Sequence, residues 1–144
     1  MRSGYNRQRI KHYKEDFPMA LDIEQSLNEA RELSEAGKSD AARMLLLEVL
    51  QQDKNHQTAL LMLGGSYFCS EKFQEAEMVF ERLVLMEPGN GKFSIALFNS
   101  LWKQGRADEA VEEIRRFLAV ADRVKEIKTV NQYVAITKEI AANQ

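Results

Sequence analysis

The sequence predicts an all-α fold, an α-solenoid of three helix pairs closed by a C-terminal capping helix. Three observations carry that prediction. Leu60, Leu63-Gly64, Tyr67, Ala76, Phe80, Leu83 and Pro88 fall within one window, 57–90, with small residues where two helices must cross and bulky ones that fill the crossing. Stepping 34 residues back or forward brings related residue types into the same places, the mark of an internal repeat. Two prolines and seven glycines in 144 residues, with 44% hydrophobic and 29% charged, suit a soluble helical protein.

Residues 1–20 read as a basic leader, flexible or a short helix. Tyr5, Ile10, Tyr13 and Phe17 recur every 3 to 5 residues, which fits a short amphipathic helix before Pro18 interrupts it. The repeat domain is then 21–144. Its first repeat, about 23–56, opens on Asp22 and Gln25, which resemble a capping pair. Ala30, Leu33, Ala42, Leu46 and Val49 take the places of Gly64, Tyr67, Ala76, Phe80 and Leu83, and Lys54 stands where Pro88 would be. In the second repeat, 57–90, Pro88 lacks an N–H and fixes φ, so it ends a helix. In the third, 91–124, Leu97, Leu101, Ala110, Ile114 and Phe117 hold the core places. Phe98 replaces the small glycine there, which implies a wider crossing or a shifted helix, and Asp122 replaces the proline. The turn inside each pair is better kept: residues 37–42, 71–76 and 105–110 align. Gly37 and Gly105 suit the left-handed conformation that ends a helix, and Asp40 and Asp108 favour the dipole of the next. The last segment, about 124–142, sets Val124, Ile127, Val130, Val134, Thr137 and Ile140 at helical spacing. A stacked array leaves its final apolar face open, and this helix is placed to close it.

The spacing Leu-x2-Leu-Gly-x2-Tyr-x8-Ala-x3-Phe-x2-Leu-x4-Pro resembles the tetratricopeptide repeat (TPR), a helix–turn–helix unit. The resemblance implies that the first helix of each pair lines a concave groove while the second faces outward. The family's contact positions then fall on Leu27 and Arg31, on Leu61, Gly65 and Phe68, and on Ile95, Asn99, Trp102 and Lys103. The apolar members would form a stripe edged by Arg31, Asn99 and Lys103, and Gly65 would leave a dent where a partner side chain enters. Two other arrangements stay open: Phe68 and Trp102 as ordinary core, or the chain's own residues 5–17 filling the groove. Members that bind the acidic tails of heat-shock chaperones use a clamp of lysine, asparagine and arginine. Asn99 matches one clamp place, but Arg31, Gly65, Leu61 and Ile95 break the others. An extended apolar segment or an amphipathic helix fits such a groove better.

Catalytic chemistry has little to build on. His12 lies in the leader and His56 in an inter-repeat link, where both read as solvated, and no histidine pair has metal-ligand spacing. The single Cys69 excludes an internal disulfide, fits a reducing compartment, and reads as a buried or half-buried structural thiol. Gly89-Asn90-Gly91-Lys92 hints at a phosphate loop, yet Met86 and Phe93 stand where glycine and Ser/Thr are required. Glu75, Glu77, Glu81, Glu109, Glu112 and Glu113 read as a solvated outer face. Residues 1–14 carry five basic residues and no acid, against 15 basic and 22 acidic residues in the remainder. No apolar run approaches a membrane span. The expected function is a non-catalytic protein–protein interaction module, chaperone- or adaptor-like and cytoplasmic, without cofactor or metal. Its partner would be another protein, not nucleic acid or membrane, and a homodimer is compatible. The architecture resembles the bacterial chaperones that hold type III secretion translocators. The alternative is an immunity protein that neutralises a toxin through its acidic surface.

Overall fold

The computed structural model describes residues 22–144, so the leader with its aromatic residues and His12 lies outside the described residues. Among the described residues there are seven helices and no strand. They are α1 (Ile23–Glu35), α2 (Ser39–Gln52), α3 (Gln57–Cys69), α4 (Phe73–Met86), α5 (Gly91–Lys103), α6 (Ala107–Val120) and α7 (Ile127–Ala142). The chain packs as two compact units, one ending at Ala59 and one running from Leu60 to Gln144.

In the first unit α1 and α2 pack on each other and bury Leu27, Ala30, Ala42, Leu46 and Val49. The Asp22 carboxylate accepts the Gln25 N–H at 3.2 Å and caps α1. Gly37, at φ +78°, turns the chain into α2. His56 is not a solvated loop residue: its Nδ1 accepts the Ala59 N–H at 3.1 Å and caps α3. Asn90 does the same for α5 by accepting the Phe93 N–H at 3.1 Å. Asp22, His56 and Asn90 thus occupy one place in three successive repeats, each supplying an acceptor to a helix N-terminus.

In the second unit α3 and α4 close on Gly64. A Cβ built there would lie 2.4 Å from the Phe80 ring, so only glycine admits the crossing. The turn between them uses Glu71 at φ +59°, the place held by Gly37 and Gly105 in the other pairs. Helix α5 packs against α4, α6 and α7. Phe98 does not spread the third pair. Its buried ring lies 5.7 Å from Tyr133 of α7 and stacks at 5.6 Å on Trp102, so its bulk is taken up by the capping helix.

The capping helix starts three residues later than the sequence suggests, and it is rotated. Asp122 Oδ1 accepts the N–H groups of Val124 and Lys125, which holds 122–126 as a turn and leaves Val124 in solvent. Thr129, Val130 and Tyr133 form the buried face, whereas Ile127 and Val134 point outward. Tyr133 decides the rotation. Its ring also packs edge-on against Phe117 at 5.6 Å, and its hydroxyl meets Ser94 at 2.8 Å, so a large apolar body and its polar tip are both satisfied.

Candidate functional site

Within the second unit, Leu61, Gly65 and Phe68 follow one another at i, i+4 and i+7 on α3, and Ile95, Asn99 and Trp102 do so on α5. That spacing puts each trio on one face of its helix. Two apolar hollows open beside them. The smaller, about 180 Å³, is lined by Gly65, Phe68, Cys69, Phe80, Ala96 and Asn99. A Cβ on Gly65 would meet nothing within 4 Å, so the missing side chain is itself part of the opening. Phe68 is half-buried and held edge-on by Phe73 at 5.0 Å. The larger hollow, about 550 Å³, lies between α5 and α7 and is lined by Phe98, Asn99, Trp102, Ile136, Glu139, Ile140, Asn143 and Gln144. Asn99 borders both. Trp102 is 44% exposed, so it is not a core residue.

The other sequence-derived positions fall elsewhere. Leu61 and Ile95 are half-buried, and Lys103 is exposed; none of the three lines either hollow. In the first unit Leu27 is only 2% exposed and belongs to the core, and the exposed Arg31 donates to the Asn28 side-chain oxygen at 2.8 Å. Cys69 is exposed, contrary to the buried or half-buried thiol expected. Ile136 and Ile140 escaped the repeat-based reading because α7 lies outside the 34-residue period.

On α4 and α6 the glutamates are not a uniform solvated face. A cleft of about 440 Å³ is lined by Glu77, Glu81, Glu109, Glu112 and Glu113, with Arg106, Arg116, Leu97 and Leu101. Glu77 is buried and accepts from Arg106 and from Gln104, whose amide also reaches the Phe73 carbonyl. Glu113, 5% exposed, accepts from both ends of the Arg116 guanidinium and from Ser94 Oγ at 2.6 Å. Arg116 also donates to the Pro88 carbonyl at 2.8 Å. The chain Arg116–Glu113–Ser94–Tyr133 therefore ties α6, α5 and α7 together. Hydrogen bonding to Arg106 lowers the Glu109 pKa below 4.5. Burial, with help from Glu77, raises that of Glu81 above the same value.

The near-miss phosphate loop has its own anion. The Gly91 N–H at the start of α5 donates to Glu126 Oε1 at 2.9 Å, which sets a carboxylate against a helix N-terminus. Among the described residues no cluster of three His, Cys, Asp or Glu side chains could hold a metal ion. No described helix is long and apolar enough to cross a membrane.

The sequence matches no curated protein. Several solved structures share the fold at low identity. The type III secretion translocator chaperone SycD of Yersinia enterocolitica superposes with a TM-score of 0.64 at 19% identity, covering 81% of this chain and 92% of its own. SycD in complex with a peptide of the translocator YopD gives 0.65 at 18%, covering 81% and 93%. The first TPR domain of Spaghetti, bound to an HSP90 peptide, gives 0.65 at 17%, covering 83% and 95%. Residues 27–94 match the family model described as tetratricopeptide repeat. With the third pair repeating the same turn and crossing, this chain is a tetratricopeptide-repeat protein.

Proposed function

We propose that this protein is a non-catalytic binding module, chaperone- or adaptor-like and cytoplasmic, that holds a peptide or amphipathic helix of a partner protein. The contact surface is centred on Gly65, Phe68, Asn99 and Trp102. The observation that carries this reading is the pair of apolar hollows meeting at Asn99. The smaller has room for a single aliphatic side chain, and the larger for a second, bulkier one. Asn99 stands between them with both a donor and an acceptor, the complement of a peptide group lying across α5. SycD and the Spaghetti domain, which share the fold, are seen with peptides, and this adds support. The heat-shock tail clamp does not carry over, because Gly65 stands at one of its places.

Trp102 is the only tryptophan in the chain, so its fluorescence reports on the larger hollow. Peptides selected from a phage-displayed random library should carry apolar anchors and shift that fluorescence. They should bind about tenfold or more weakly to Gly65→Leu, which plugs the smaller hollow, and to Trp102→Ala; tenfold corresponds to about 1.4 kcal/mol. Peptides that bind both variants as well as the parent would refute the site.

The acidic-surface alternative has weaker support. Of the five glutamates around the cleft, Glu77, Glu109, Glu112 and Glu113 are already paired with arginines of the chain. It would gain if capture of a native partner were lost on charge reversal at Glu81 and Glu112 and kept in Gly65→Leu.

A further inference from the structure

Two outward-facing helices of the second unit carry stripes that match each other. On α7, Ile127 and Val134 are 51% and 43% exposed and stand seven residues apart, about 10 Å along the axis. Around them are Lys128 and Lys138, both exposed, with Asn131 and Ala135 completing the face. The one acid in the first turns of this segment, Glu126, is turned inward to Gly91. From Arg123 onward the chain has four basic and two acidic residues, whereas residues 22–122 have eleven basic and eighteen acidic. The outer face of α7 is thus a basic, apolar strip on an acidic body.

On α4, Met78 and Leu85 are 65% and 80% exposed, again seven residues apart, and they are flanked by the exposed Glu75 and Glu81. Spacing and chemistry correspond: two aliphatic side chains one heptad apart, between lysines on one helix and between glutamates on the other. Helix α2 also exposes aliphatic residues, Met44 and Leu47, but these stand three apart and do not match the α7 spacing.

We propose that copies of this protein associate by laying α7 of one chain along α4 of another. Ile127 and Val134 pack against Met78 and Leu85 of the second copy, and Lys128 and Lys138 face its Glu75 and Glu81. The favoured occupant of each stripe is a second copy because the chain itself supplies the complement. An acidic body also repels an anionic lipid surface, which is the other chemistry a basic apolar helix would fit. The contact is heterologous, since α4 meets α7 and not itself. It closes as a dimer where a two-fold axis relates two such contacts, and otherwise runs on as a chain of copies. Removing these aliphatic side chains from water drives the association, and the opposed charges set its register.

Sedimentation equilibrium of the full chain from micromolar to millimolar concentration tests this. The parent should associate as concentration rises. The variant Lys128→Glu/Lys138→Glu should associate at least tenfold more weakly, and so should Glu75→Lys/Glu81→Lys. An equimolar mixture of the two variants should recover association, because each then supplies what the other lacks. All four positions are exposed, and unchanged thermal melts by circular dichroism would show that both variants fold. A parent that stays monomeric throughout, association that survives the reversals, or a mixture that fails to recover would each overturn the proposal. Binding of the parent to vesicles of phosphatidylserine but not to itself would also overturn it, in favour of a membrane surface.

Discussion

Gly64 and Gly65 are neighbours that tolerate opposite changes. A methyl group at Gly64 would enter the Phe80 ring, so Gly64→Ala should destabilise by about 1–3 kcal/mol in urea denaturation, the usual range for an overpacked core. At Gly65 the same methyl group meets open space, and the gain in helix propensity should make Gly65→Ala neutral or stabilising by up to about 1 kcal/mol. Glu71 is held left-handed at φ +59° where the other two repeats use glycine. Relief of roughly 1–2 kcal/mol of strain, offset by the entropy that glycine loses, should leave Glu71→Gly about 0.5 kcal/mol more stable. Tyr133 gives a pH signature. Burial, reinforced by the Glu113 carboxylate, raises its phenol above 10.0 against the opposing pull of the Ser94 hydrogen bond. The folded chain therefore keeps a proton that the unfolded chain releases, and stability present below pH 10 is lost as the pH rises past it. Tyr133→Phe should show a shallower alkaline loss, read from urea midpoints on either side of pH 10. At this scale the sequence was legible wherever a conformation is settled within a few residues, as at Asp22, Gly37 and Gly105. It was opaque where the partner is distant: Glu113 looks like a surface acid until Ser94, 19 residues away, and Tyr133 are beside it.

Among the elements, α7 departs furthest from its sequence pattern, and the reason is physical. Counting aliphatic residues selects Val124, Ile127 and Val134, but the buried face is built on Thr129 and Tyr133, whose polar atoms hide them from such a count. What orients this helix is a polar seam of Glu126 with Gly91 and Tyr133 with Ser94, laid over the Phe98 and Phe117 rings. Ser94→Ala should therefore destabilise by about 1–3 kcal/mol, since it leaves both Glu113 and Tyr133 short of a buried partner. Thermal melting measures the loss, and faster hydrogen exchange at α7 amides would locate it. By contrast, the six paired helices fell close to their sequence boundaries, because their caps and turns recur every 34 residues and are local. His56 shows the limit of that rule. It caps α3 as Asp22 and Asn90 cap their helices, yet histidine is not a residue type that signals a helix start.

For the molecule as a whole, the repeat period locates the helices that bear Gly65, Phe68, Asn99 and Trp102, but not Ile136 and Ile140, which bring α7 to the larger hollow. A chain ending at residue 122 should uncover the Phe98 and Phe117 rings, bind a hydrophobic dye and melt at a lower temperature than the parent. It should also lose the larger hollow and the basic strip together while keeping the residues that line the smaller one. The seam at α7 bears on how this array can lengthen. Any additional pair appended after residue 122 would have to present its leading helix where α7 now lies. It would need a carboxylate for the Gly91 amide and a hydroxyl for Ser94. Tandem duplication of an ordinary repeat supplies neither, so growth by gene recombination at this end meets a chemical stop.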